Sequence, residues 1–448
     1  MHYGRAMQFS AACAAELEGS FTVIKAPAFA GPPAQRDPAV IDTVTEMLRT
    51  IEQDGMDGVL RYAKQLDHWT STDVELDAAT IARSGDHLEP ALRSALELGA
   101  ERTRRFATES RNRLSDFEIE IAPGVVAGHR YIPVSRVGAY LPAGRFPILA
   151  SAFMTVGVAK AAGVPTVLAC TPPQPDGAPN PAVLYSAFLS GADRIYVLGG
   201  VQALAAMAFG LLGERPIDML VGAGNAYVAE AKRQLFGKVA IDLLAGPSEV
   251  AIIADESADP AIVAADMLGQ AEHGPESPAA LITTSEPFGH AVIAEVERQL
   301  QSLATREIAE PAWRNYGSVT WAADRQTAAL LMDDLAPEHL EIVTTDDDEY
   351  YFELLRNYGS IFVGQWSTVA YSDKGMAGTN HVLPTAGGAR HSAGLSVSRF
   401  LKPLTFQRIA RTATPLVANA VDVISAYEGM EGHRATATMR LSSHGDRS

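Results

Sequence analysis

Between residues 140 and 363 short apolar runs alternate with longer amphipathic ones, and this alternation constrains the fold more than any other feature of the chain. "TVLAC", "RIYVLGG", "DMLVGAG", "VAIDLLAG" and "EVAIIAD" read as strands, with "ASAFMTVGVAKAAGV", "PAVLYSAFLSGA", "VQALAAMAFGLL" and "NAYVAEAKRQLFG" as the helices among them. A second run repeats the pattern: helix "DPAIVAADMLGQAEHG", strand "AALITTS", helix "GHAVIAEVERQLQSL", strand "SVTWAA", helix "RQTAALLMDDLAP", strand "HLEIVT", helix "EYYFELLRNYG", strand "SIFVG". Strands that are apolar throughout must be buried on both faces, which a parallel sheet covered by helices provides. The expected fold class is therefore α/β, with two Rossmann-like domains built on parallel-rich sheets.

The flanks read differently. Residues 1–35 end in a Pro/Ala/Gly-rich segment and form an arm. Residues 38–65 and 77–116 carry helical patterns, a short β segment follows, and the chain after 395 is mostly helical. The expected division assigns 36–139 with 250–395 to one α/β domain, 140–249 to the second, and 396–448 to a helical tail.

A length of 448 residues is ample for two or three domains. The formal net charge of −17 argues against nucleic acid or an anionic membrane surface as a partner. No apolar run is long enough to span a bilayer, and the opening residues lack a basic region followed by an apolar one, so no signal segment is expected. The two cysteines, Cys13 and Cys170, form no CxxC site and read as reduced thiols of a cytoplasmic protein. Any zinc here needs nitrogen and oxygen ligands.

Two strand-to-helix turns are glycine-rich: "YVLGGVQALAAM" at Gly199–Gly200 and "LVGAGNAYVAEA" at Gly222–Gly224. Glycine admits close approach of a ligand, and a helix start offers N–H groups to phosphate. Neither turn is a full GxGxxG, and taken alone both read more readily as the plain tight turns common in any such fold.

Polar clusters carry the chemistry. The helix starting at Asp259-Pro260 should stop at Gly274-Pro275, placing Gln270, Glu272 and His273 in its final turn. Gln270 and His273, three apart, share a side and could chelate a divalent metal, leaving Glu272 on another azimuth. Alone, such a histidine is more often one that bonds a carbonyl at the helix end. "LAPEHLEIV" puts Glu338 and His339 where a loop feeds a strand, at the sheet edge where α/β enzymes place chemistry. "YSDKGMAGTNHVLPT" offers Asp373 and His381, and "YEGMEGHRA" offers Glu428 and His433. Four such clusters in a chain with 11 histidines point to one shared site.

The segments "VGAYLPAG", "LGGVQALAAMAFG", "VGAGNAYVAEAKRQLFG", "AGPSEVAIIAD", "LGQAEHGP", "LAPEHLEI" and "GTNHVLPT" resemble, in this order, the histidinol dehydrogenase family, over residues 37 to 440. The resemblance implies a zinc-containing, NAD-dependent homodimer that oxidises a primary alcohol through an aldehyde to a carboxylate. It implies Gln270, His273 and Asp373 as zinc ligands, and His433 reaching the neighbour's zinc because the C-terminal tail is exchanged in the dimer. It implies Glu338 and His339 as acid–base residues, Ser248, His381 and Glu428 as substrate contacts, and Tyr140, Gln202 and Asn225 as NAD contacts in the 140–249 domain.

Several segments look closer to a paralogous branch similar to sulfopropanediol dehydrogenase. Ala150 stands where histidinol enzymes tend to have serine, and Phe153 where the sulfonate-oxidising relatives are expected to have histidine. Arg145, a fixed cation in the preceding loop, suits an anionic substrate head. The spacing from Asp373 to "GTNH" is one residue longer than in the family, with Asp373 the only acidic residue between Ile361 and His381. The reading is a zinc- and NAD-dependent dehydrogenase on an alcohol other than histidinol. A true histidinol dehydrogenase, an NAD-independent zinc hydrolase and a non-catalytic binding protein are the competing readings.

Overall fold

The computed structural model describes residues 8–29, 37–143, 146–213 and 215–442. Two parallel sheets, each wrapped by helices, form its centre. The first has five strands, in spatial order Arg194–Val197, Thr166–Thr171, Arg136–Tyr140, Met219–Val221, Ala240–Ile241. In chain order this is 3-2-1-4-5, the doubly wound arrangement. The second sheet repeats it with Ser318–Ala322, Ala279–Thr283, Val250–Ala254, His339–Val343 and Ser360–Val363. The expected pair of Rossmann-like sheets is present, and every residue of the strands Val250–Ala254 and Ala279–Thr283 is buried, as their unbroken apolar sequences require.

The N-terminal arm contributes an element of its own. Phe21–Lys25 adds an antiparallel sixth strand beside Ser318–Ala322. Lys25 fastens it by donating to the carbonyls of Trp313 and Gly317 while lying over the Trp313 ring.

The packing regroups the segment 36–139. Helices Pro38–Asp54 and Met56–Leu66 bury Val44, Met47, Ile51 and Val59 in one core with Tyr140, Leu168, Leu198 and Leu204 of the five-stranded sheet and its helices. Helix Pro90–Asn112 buries Leu96 and Ala107 on that sheet's other face. These helices thus belong with 140–249, not with 250–395 as their sequence position suggested. The stripe on an amphipathic helix states that a face is buried, not which sheet receives it.

The tail from 396 is also not purely helical. Leu401–Ile409 pairs antiparallel with Val125–Pro133 along nine residues, and Phe117–Ala122 completes a three-stranded sheet. Helices Thr414–Glu428 and Glu431–Ser442 follow. Phe117, Ile119, Ile121, Leu416, Val423, Ile424 and Tyr427 leave this sheet and tail with exposed apolar surface. Among the described residues no helix is long and apolar enough to cross a membrane.

Candidate active site

The strands Val250–Ala254 and His339–Val343 are adjacent and in register, with His339 opposite Val250. Residues 248–249 and 338 therefore emerge side by side at the amino edge of the six-stranded sheet. Helix Pro260–Ala271, capped by the Asp259 side chain as expected, runs back along the sheet and returns Gln270 to that edge. α/β enzymes ordinarily bind ligands at the carboxyl ends of the strands. Here the polar cluster sits at the opposite edge, which corrects the placement expected from the sequence.

A chain of hydrogen bonds joins three candidate residues. Gln270 Nε2 donates to Ser248 Oγ at 2.7 Å, and Ser248 Oγ donates to Glu338 Oε2 at 2.7 Å. The Glu249 N–H also donates to Glu338 Oε2, at 2.9 Å. Burial drives the Glu338 carboxyl well above the usual carboxylate range. The Ser248 and Glu249 donors oppose this, while the nearby carboxyls of Glu249 and Asp373 add to it. Glu249, also buried, is pushed up to about 7, although the N–H groups of Ala386 and Glu338 donate to its Oε1.

His339 Nδ1 lies 2.9 Å from the Glu249 carbonyl oxygen. A carbonyl only accepts, so Nδ1 carries the proton and Nε2 keeps its lone pair. Nε2 is buried and has no hydrogen-bond partner. Burial lowers the His339 pKa to about 4, so the ring is neutral at neutral pH. A neutral, fixed imidazole with a free lone pair is arranged to take a proton.

The second group is built around Asp373, at the end of the short helix Val369–Asp373. His273 Nε2 is 3.3 Å from Asp373 Oδ2, and His381 Nδ1 is 3.8 Å from Oδ1. Burial alone would raise the Asp373 carboxyl. The hydrogen bond from His273 and the fields of His381 and His339 overcome it and hold the group below the usual carboxylate range. His381 lies below its ordinary value, burial outweighing the Asp373 carboxylate. Gln270 completes the group. Its Nε2 is used by Ser248, and its Oε1 is buried with no partner.

Gln270 Oε1, the His273 imidazole and the Asp373 carboxylate suit a zinc ion, which takes nitrogen and oxygen donors. The orphaned amide oxygen fits such a role, since a buried acceptor left unpaired is costly. Among the described residues no three His, Cys, Asp or Glu side chains form a metal-binding group, and the Gln270 amide oxygen would be the third donor to an ion held by His273 and Asp373. Glu272 turns elsewhere and accepts from Thr305, as its azimuth predicted. The cysteines contribute nothing: burial raises Cys13 to about 11 and takes the fully buried Cys170 higher still.

His433 and Glu428 are not brought to this cluster within one chain. Both are exposed on the C-terminal helices. Arg145 lies outside the described residues. Ala150 and Phe153 are buried in the core of the five-stranded sheet.

The glycine turns differ from the phosphate cradles considered above. The Gly199 N–H donates to Asp67 Oδ2 at 3.1 Å and the Gly200 N–H to Tyr140 Oη at 3.2 Å, while Gln202 Nε2 donates to Asp67 at 2.7 Å. At the other turn the Gly222 N–H donates to Asp242, and Asn225 Oδ1 accepts from Tyr227 and Val228. These amides are engaged by the protein itself. Tyr140, Gln202 and Asn225 thus shape the carboxyl edge of the five-stranded sheet. Sequence reasoning missed Asp67, Glu249 and Asn380; an acidic residue inside an apolar run, as in "SEVAIIAD", is the one signal that could have found any of them.

Comparison with known proteins finds relatives along most of the chain. The family description "Histidinol dehydrogenase" matches residues 32–441. A histidinol dehydrogenase homolog of Shouchella clausii is 44% identical, over 91% of this chain and 95% of its own. The sulfopropanediol 3-dehydrogenase of Ruegeria pomeroyi is 42% identical, over 90% of this chain and 93% of its own. The crystal structure of histidinol dehydrogenase from Elizabethkingia anophelis superposes with a TM-score of 0.86 at 32% identity, covering 92% of this chain and 94% of that one.

Proposed function

The chain belongs to the histidinol dehydrogenase family, and from that premise we propose that it is a zinc- and NAD-dependent dehydrogenase oxidising a primary alcohol through an aldehyde to a carboxylate. The observation that carries this reading is the convergence of Gln270 Oε1, His273 and Asp373 beside an unpaired His339 Nε2 and a buried Glu338. Gln270, His273 and Asp373 would hold zinc, with His433 of a second copy as fourth ligand. Bound zinc would supply a fixed charge to orient the substrate hydroxyl, and NAD, near Tyr140, Gln202 and Asn225, the hydride acceptor.

The protein's own groups then divide the proton work. His339, neutral and held by the Glu249 carbonyl, takes the alcohol proton through Nε2. Glu338, whose pKa burial has raised, takes a proton from water in the aldehyde-to-acid step. A buried carboxylate is a stronger base than an exposed one, which suits it to water. Ser248 links Glu338 to Gln270, so the base and one metal donor share a fixed geometry.

We propose a substrate other than histidinol, an anionic diol of the sulfopropanediol kind. Arg145, a fixed cation in the sequence before Ala150, suits an anionic head, and the 42% identity to sulfopropanediol 3-dehydrogenase supports the same branch, while Ala150 and Phe153 are buried in the core and offer such a head no polar contact. The test is a panel of alcohols with NAD and zinc, including histidinol, a sulfonated diol, hydroxy acids and amino alcohols. Reduced nicotinamide should form with the sulfonated diol and disappear after chelation. Turnover of histidinol alone, with rescue of a histidine auxotroph, would overturn the substrate assignment. Product without any change in nicotinamide absorbance would instead favour a zinc hydrolase. The exposed apolar tail supports a homodimer, which sedentation of the purified protein in an ultracentrifuge would test.

A further inference from the structure

The strand His339–Val343 carries a charged-type residue in its middle. Glu341 is fully buried and lies on the same face as His339, because alternate residues of a strand share a face. Its Oε1 accepts the Val369 N–H at 3.0 Å, while Oε2 has no conventional donor. The Glu341 carboxyl lies near that of Asp266, on the helix bearing Gln270, and the two acids hold adjacent residues at the start of the helix Val369–Asp373. Asp266 Oδ1 in turn accepts from Thr368 Oγ1 at 2.8 Å. Two carboxyls close together within a core hold together when one is protonated and donates to the other.

The geography matters. Asp266 is one helical turn before Gln270, Thr368 and Val369 begin the short helix ending in Asp373, and Glu341 follows His339 by two. Resting on the zinc reading above, we propose that the buried Glu341–Asp266 pair is a positioning device. It ties the segment bearing Asp373 to the helix bearing Gln270 and the strand bearing His339. Nothing else in the proposed mechanism uses these two acids.

Outer groups that hold metal ligands in place commonly matter 10- to 100-fold in affinity, roughly. The test uses the full-length chain, stripped of metal and titrated with zinc alone against a chromophoric chelator. Circular dichroism establishes that each variant is folded, and steady-state kinetics supply kcat and KM. Glu341→Ala should weaken zinc by roughly 10- to 100-fold. Glu341→Gln can still accept from Val369 and donate to Asp266, and should restore affinity. Thr368→Val should weaken zinc and Thr368→Ser restore it, which decides the matter if Glu341→Ala does not fold. Kinetic loss should fall on kcat more than on KM at limiting zinc.

Zinc affinity unchanged in folded Glu341→Ala and Thr368→Val, with loss in Asp373→Ala, would overturn the positioning role while leaving the zinc reading intact. Failure of Glu341→Gln to rescue would overturn it too. If the native chain binds no zinc and Asp373→Ala changes nothing, the zinc reading itself fails and this inference falls with it.

Discussion

Asn380 Nδ2 donates to the Met154 carbonyl at 2.8 Å, joining the loop beside His381 to the first helix of the five-stranded sheet. The partner lies at the start of that helix, in the π-helical turn Phe153–Gly157. A π turn changes the hydrogen-bond register, so a carbonyl there is available to an outside donor. Asn380 Oδ1 accepts the Val382 N–H, which brackets His381 from both sides. This contact ties the carboxyl-edge unit to the amino-edge cluster.

Asn380→Asp should therefore lower kcat/KM by roughly 5- to 150-fold, the range for about 1–3 kcal/mol when one partner of a buried hydrogen bond is removed. The aspartate keeps its acceptor for Val382 but cannot donate to Met154. If Asn380→Asp matches the native kinetics, the Met154 bond does not align His381.

His339→Ala should block alcohol oxidation, and Glu338→Ala should harm the aldehyde step more than the alcohol step, each by about 10²–10⁴ in rate. Feeding the aldehyde directly separates the two. Near-normal acid formation by Glu338→Ala would remove its role as the base for water.

Ser248→Ala removes a donor that pulls the Glu338 pKa down. The Glu338 carboxyl should then titrate higher, so the rising limb of the aldehyde-step rate should move to higher pH. A limb that stays in place, or moves down, contradicts the hydrogen-bond chain.

Glu249 makes a stability prediction. Its folded pKa, about 7, is raised above the ordinary value of 4.5. Between these values the native state holds a proton that the unfolded state has lost, so its contribution is full below 4.5 and falls as pH rises through 7. The total is about 3 kcal/mol at most. Glu249→Gln, which keeps both N–H contacts, should flatten this dependence in urea unfolding followed from pH 4.5 to 7.

Lys232 and Asp242 form a buried ion pair that also grips Gly222, the lysine donating to its carbonyl at 2.9 Å and the aspartate accepting its N–H at 2.8 Å. Lys232→Met leaves Asp242 unpaired and should cost about 3–5 kcal/mol. Gly222→Ala should be equally poorly tolerated, because Gly222 has φ +117° and an added Cβ would meet the Tyr140 carbonyl oxygen at 2.3 Å. Thermal unfolding of the two variants measures both.

Local features of the fold could be read from residues close in sequence. Asp259-Pro260 starts its helix as capping rules require, and Glu272 points away from Gln270 and His273 as helical spacing requires. The strand Leu401–Ile409 escaped notice because its burial is slight and its partner Val125–Pro133 lies far back in the chain. Glycine composition showed where backbone can turn closely, but not that Asp67 and Asp242 would occupy the turn amides.

The sequence by itself determined the alternation of buried strands with helices, the family, and the residue types from which a zinc and acid–base site can be made. Those follow from periodicity and local chemistry, which neighbours along the chain specify. Only the tertiary structure decided that the cluster gathers at the amino edge of its sheet, that helices 38–112 cover the other sheet, and that Asp266 lies near Glu341. Each depends on which elements become neighbours in space, and burial then sets which carboxyls keep a proton and which lone pairs stay open.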